Sequence, residues 1–170
     1  MKIINTLIFV VFIALTSFAQ QSGGYKKGDK LLNIGIGVNS FYNGGIPIGA
    51  SCEQGITDAI SVGVNADYLS NKYFSFKFTA IYFGVRGSYH FNDLLKLGND
   101  NIDLYAGPTI GYRSFSWKDA RQNLGDNYGS GIFLGVFIGG KYYLSDKIGL
   151  FTELGSIGST NARIGVAFKF

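Results

Sequence analysis

The 170-residue chain is poor in the residues on which most catalytic chemistry depends. A single cysteine, Cys52, excludes an intramolecular disulfide and a cysteine-rich metal site. A single histidine, His90, excludes a zinc site built on several histidines of one chain. Only two prolines are present, so the chain is neither collagen-like nor a proline-rich linker. Charged residues make up 15%, against roughly 25% in an average soluble domain. The 15 basic and 11 acidic residues leave a formal charge of +4 with no long basic run, which argues against a nucleic-acid partner. Beyond the first nineteen residues no apolar run is long enough for a membrane-spanning helix.

What is abundant is glycine, at 25 residues, and aromatic side chains, with 15 Phe and 11 Tyr. Hydrophobic residues at 46% exclude a disordered chain. The first nineteen residues stand apart. Lys2 is followed by an apolar run broken only by Asn5 and Thr6, and then by Thr16-Ser17-Phe18-Ala19. That layout predicts a secretory signal peptide over 1–19 and a single exported domain over 20–170. Gln20 rather than cysteine follows the cut, so no lipoprotein anchor is expected.

The rest of the chain alternates with period two, the mark of strands with two unlike faces. Eight such stretches run over 32–38, 46–53, 60–68, 81–91, 102–113, 132–144, 148–155 and 163–170. Between 74 and 83 the aromatic residues change parity, which predicts a bulge or a change of environment along that strand. The only short helix candidate is 93–97. Connections rich in Asp, Asn, Gly and Ser are expected at 55–59, 92–101 and 145–147 on one side, and at 40–45, 70–75, 117–129 and 157–161 on the other.

Eight adjacent antiparallel strands close into a small barrel without exposed edges. Alternation leaves two orientations open: a soluble barrel with its apolar face inside, or a membrane barrel with that face outside. Three features favour the membrane form. The polar face is rich in glycine, which weakens a strand but makes room in a narrow lumen. The same face carries Glu53, Asp67, Asp103 and Glu153 against Arg86, Arg113, Lys141, Arg163 and Lys169, charges of both signs that can pair inside. Finally, Tyr68, Tyr89, Phe91, Tyr112, Tyr142, Phe168 and Phe170 fall near strand ends on the apolar face, where membrane interfaces would lie.

The last stretch, with Arg163, Gly165, Phe168 and Phe170, resembles the C-terminal assembly signal of bacterial outer-membrane barrels. With Ser88-Tyr89-His90-Phe91, Gly139-Gly140-Lys141-Tyr142-Tyr143 and Leu150-Phe151-Thr152-Glu153-Leu154-Gly155, the chain from about Asp29 onward is similar to the small OmpA/OmpX-type barrels of the porin family. The resemblance implies an all-β, eight-stranded antiparallel up-and-down transmembrane barrel in the cell outer membrane. It implies outer-membrane lipid and lipopolysaccharide as surroundings, the barrel-assembly machinery as a partner during biogenesis, a monomer, and no cofactor or nucleic acid.

Individual constellations are read in that context. Lys141–Glu153 and Glu153–Arg163 lie on neighbouring strands and are expected to touch, as a static ion-pair plug or as a selective polar path. Ser88 and His90 project to one face, but a nucleophilic pair needs an orienting group and an oxyanion site. Cys52 falls on the apolar face with no basic sequence neighbour to activate its thiol. The long outer connection carries Phe115, Trp117, Lys118, Arg121 and Asp126, which suit a lipopolysaccharide phosphate or a partner surface. The function expected is therefore a non-enzymatic structural or surface-interaction barrel with a filled lumen. A narrow pore, and a soluble barrel for an apolar ligand, are the alternatives.

Overall fold

The computed structural model describes residues 24–42, 44–73, 76–118 and 129–170. Eight strands follow one another: β1 (Lys30–Ser40), β2 (Ile48–Gly55), β3 (Ile60–Tyr73), β4 (Phe76–His90), β5 (Ile102–Trp117), β6 (Gly131–Tyr143), β7 (Ile148–Ile157) and β8 (Thr160–Lys169). Each pairs antiparallel with its sequence neighbours, and β8 pairs with β1 to close the barrel. At the seam, Lys30 and Phe170 exchange backbone hydrogen bonds of 2.9 and 3.1 Å. No helix occurs among the described residues.

Polarity is inverted relative to a soluble barrel. Ile132, Leu134 and Val136 point outward and are 79%, 73% and 69% exposed, whereas Arg163, Glu153 and Asp103 point inward and are at most 1% exposed. The strands are staggered as a closed barrel requires. Pairings lead from Leu31 at one end of β1 through Glu53, Gly63, Arg86 and Thr109 to Gly135, and the way round ends near Ser40. The end carrying residues 24–29 and the turns after β2, β4 and β6 is the near end. The end carrying the turns after β1, β3, β5 and β7 is the far end.

Three expectations are corrected and one alternative is decided. Residues 70–73 are strand and not loop: β3 and β4 continue outward, with Lys72 opposite Lys77 and Tyr73 opposite Phe76. The alternation hid this because its sense reverses there. Inward positions turn apolar (Leu69, Phe78, Ala80), outward ones polar (Ser70, Lys72), and backbone pairing runs on. The parity change near 74–83 is thus a change of environment, since no register shift interrupts β4 against either neighbour. The 157–161 connection shortens to Gly158 and Ser159, beside a register irregularity that Gly155 accommodates with φ of 137°. Residues 93–97 form turns, not a helix. The amides of Leu95, Lys96 and Leu97 bond back four, three and five residues, to Phe91, Asp93 and Asn92, so no helical ladder starts. The signal-peptide expectation for 1–19 falls outside the described residues.

Candidate functional site: the barrel interior

The interior is filled in layers. At the near end Tyr25 enters the mouth and stacks on His90, with ring centroids 3.4 Å apart and planes 3° from parallel. Its hydroxyl lies 2.6 and 2.8 Å from the carbonyl oxygens of Ile60 and Thr57. Burial, and after it the charge of Asp103, pushes this hydroxyl's pKa up, so Tyr25 stays a neutral donor. Nearby, Lys169 donates to the carbonyl of Gly24 at 2.7 Å. Residues 24–29 thereby cover the mouth, a feature that precedes the alternating region and carries no pattern of its own.

Beneath Tyr25, Asp103 bridges two bases. Its Oδ1 lies 2.6 Å from His90 Nδ1, and its Oδ2 accepts from Lys141 Nζ at 3.0 Å. Lys141 also sits 4.1 Å over the Tyr105 ring. The next layer spans the lumen. Arg86 meets Glu53 Oε1 at 3.1 Å and Glu153 Oε1 at 2.7 Å, and its guanidinium lies 3.8 Å over Phe137. Ser61 and Ser88 donate to Glu53 Oε2 at 2.7 and 2.6 Å, and Tyr105 donates to Glu153 at 3.0 Å. Further along, Arg163 pairs with Asp67 at 2.5 Å, and Ser159 donates to the same carboxylate through both its amide and its hydroxyl.

At the far end the filling becomes aromatic. Tyr42, Leu69, Phe78, Ala80 and Tyr82 form a buried cluster, flanked by Phe115, Trp117 and Phe133. Arg113 belongs here. Its Nη1 donates to the Tyr42 hydroxyl at 3.3 Å and its Nε to the Gly129 carbonyl at 2.7 Å.

All nine charged residues singled out from the sequence lie on the inner face, but the partners differ from those expected. Lys141 pairs with Asp103 and not with Glu153, Arg163 pairs with Asp67 and not with Glu153, and Glu153 takes Arg86. Arg113 stands with the aromatic cluster, away from these carboxylates. Cys52 faces outward and is exposed. Of the outer connection, Phe115, Trp117 and Lys118 are described, while Arg121 and Asp126 lie outside the described residues.

The serine beside His90 is Ser61 rather than Ser88, with Oγ 3.0 Å from Nε2. Ser61, His90 and Asp103 thus connect in the order of a nucleophilic triad. The chemistry does not follow. Ser61 has one proton and gives it to Glu53, so its hydroxyl faces His90 as an acceptor, the reverse of what a nucleophile needs. Ser61 is fully buried, and Tyr25 covers the imidazole. The inward parity of Ser61 was visible in the sequence; its register opposite Ser88 was not.

An eight-stranded, up-and-down barrel with an apolar wall and a polar, ion-paired interior is the outer-membrane type of β-barrel. No family model and no curated protein matches the sequence. Solved structures do match. The N-terminal β-barrel domain of Pseudomonas aeruginosa OprF aligns at a TM-score of 0.56 and 14% identity, covering 85% of this chain and 98% of that one. The outer membrane protein OprG of the same organism aligns at 0.56 and 12%, covering 88% and 99%. Neisserial surface protein A aligns at 0.54 and 18%, covering 84% and 96%. At these identities the similarity is one of fold.

Proposed function

We propose that the chain is an integral outer-membrane barrel with a closed lumen, a structural or surface-interaction protein and not an enzyme. The near end faces the periplasm and the far end the exterior. Outward residues from Ile102 to Tyr112 on β5 extend about 33 Å along the strand, hence about 25 Å along the axis at a tilt near 40°, which suits the apolar band of such barrels. The carrying observation for closure is the Glu53–Arg86–Glu153 bridge across the interior, between the Tyr25 cap and the aromatic far end. The inside is polar and the outside apolar, the reverse of what a soluble carrier of an apolar ligand needs.

Heat-modifiable gel migration in detergent tests the membrane reading, and a folded protein soluble without detergent would refute it. Planar-bilayer recording tests closure, with no steady conductance expected. One observation favours a narrow pore: Asn33 Oδ1, Asn65 Nδ2, Arg86 Nη1, Glu153 Oε2 and Arg163 Nε are buried without a protein hydrogen-bond partner. Such atoms are ordinarily satisfied by internal water. A steady current that changes on Glu153→Gln would establish the pore and remove the plug.

Within this reading Arg163, Gly165, Phe168 and Phe170 keep the role of an assembly signal, and the surroundings are lipid and lipopolysaccharide around a monomer. Phe170→Ala is expected to lower the amount of folded barrel in the membrane while export continues, measured by unheated gel migration of membrane fractions. An unchanged folded fraction would remove that role. Arg163 is unsuited to the same test because its loss also breaks the pair with Asp67.

A further inference from the structure

We infer that the outer wall of β3–β5 at the far end is a binding site for a phosphate-bearing membrane lipid, with its headgroup held by Lys72, Lys77 and Lys118. The inference rests on the outer-membrane reading above and adds a ligand to one face of the barrel.

The first observation is a row of like charges. Lys72 stands directly opposite Lys77, and the amide of Lys118, one residue beyond the end of β5, donates to the carbonyl of Lys77 at 2.9 Å, so the three lie side by side. All three are exposed and have outward parity. Like charges directly opposite one another weaken a strand pair. Every described carboxylate lies inside the barrel or at the near end, so no described acid relieves this row. A multivalent anion set between the ammonium groups turns the repulsion into attraction.

The second observation is what lies below the lysines. The pairings continue downward in aligned rows: Ser70, Thr79 and Ser116, then Tyr68, Ile81 and Ser114, then Ala66, Phe83 and Tyr112. Cations are followed by hydroxyls, then a mixed row, then apolar side chains, the same order as headgroup, interface and acyl chain. At the bottom the wall holds an apolar concavity of about 630 Å³, where Ala50, Cys52 and Ala66 are small and Phe83 and Tyr112 form an upper rim. Lys72 is four residues beyond Tyr68, about 13 Å along the strand, which lifts it from the aromatic boundary into the headgroup zone. The row and the concavity are separate features of one face, and a lipid with a phosphorylated head and a long chain fits both.

The test uses the full chain in lipid nanodiscs of phosphatidylcholine, alone or doped with a diphosphorylated glycolipid or with the same glycolipid stripped of phosphate. Retention of the dopant through purification is read by mass spectrometry. The unaltered protein is expected to retain the phosphorylated form about a hundredfold better than the stripped form, the combined effect of three lysines at an anionic surface. The triple variant Lys72→Gln, Lys77→Gln, Lys118→Gln should lose that preference. Lys27→Gln, Lys30→Gln, Lys96→Gln, at the other rim, should keep it. In detergent without lipid, the first triple variant should be at least as stable as the parent, because it removes repulsion and no contact. No discrimination by the parent protein, or undiminished discrimination by the first triple variant, would overturn the site and leave the outer-membrane reading intact. Failure to enter any disc would instead refute the outer-membrane reading and the site with it.

Discussion

Replacing Arg86 by methionine is expected to destabilise the folded barrel by about 3–5 kcal/mol. Arg86 is 4% exposed and its guanidinium stands between Glu53 and Glu153, which are 3% and 0% exposed. Methionine approximates its volume and keeps a contact with Phe137, so the loss isolates the charge. Two carboxylates then remain buried, each retaining only neutral donors: Ser61 and Ser88 for Glu53, Tyr105 for Glu153. Removing one member of a buried ionic network is costly because the remaining charges cannot return to water. The urea midpoint of protein folded into vesicles measures the effect. Adding Glu53→Gln and Glu153→Gln to Arg86→Met should recover most of the loss, since no uncompensated charge is then buried. A small effect of the single change, or no recovery in the triple, would mean that water already solvates this layer and that the lumen is not closed there.

Within the apolar band the parity of each strand was legible from the sequence, and with it the inward face of the charges expected in the lumen. The pairing of those charges was not. Glu53 and Arg86 lie two strands apart, Arg86 and Glu153 three strands apart, so their contacts cross the lumen instead of following the wall. Period-two alternation reports which side a residue faces and says nothing of stagger, which decides the side chains that meet at one level. The expected Lys141–Glu153 contact failed for this reason. Gly139, not Lys141, is the register partner of Glu153, while Lys141 is directly opposite Asp103. The far end was hidden for another reason. Above the apolar wall the inward residues become Leu69, Phe78 and Phe115, so a rule tuned to polar-in strands read the end of β3 as a loop and the start of β4 as a strand of shifted parity. Tyr25 lies before the first strand, and only the tertiary contact with His90 gives it a role.

Gly49→Val is the second change expected to have a large effect, about 3–5 kcal/mol, and it tests why glycine lines this lumen. A Cβ at Gly49 would stand 2.4 Å from Arg163 Nη2, 2.5 Å from its Cζ and 2.9 Å from Asp67 Oδ2. Valine adds two further methyl groups at the same place. Arg163 is 1% exposed and Asp67 2%, so neither can swing into solvent to make way. The substitution therefore combines overpacking with separation of a buried ion pair, and the two penalties reinforce each other. Gly131→Val provides the contrast, because a Cβ there meets nothing within 4 Å. At that position a β-branched side chain should be neutral or slightly favourable in a strand. Urea midpoints of both variants in vesicles, with the folded fraction on unheated gels, separate the outcomes. A large loss at Gly49 with none at Gly131 means that glycine is present to leave volume for large charged side chains. Equal losses would mean that the glycines serve the backbone, and the filling of the interior would then need another explanation.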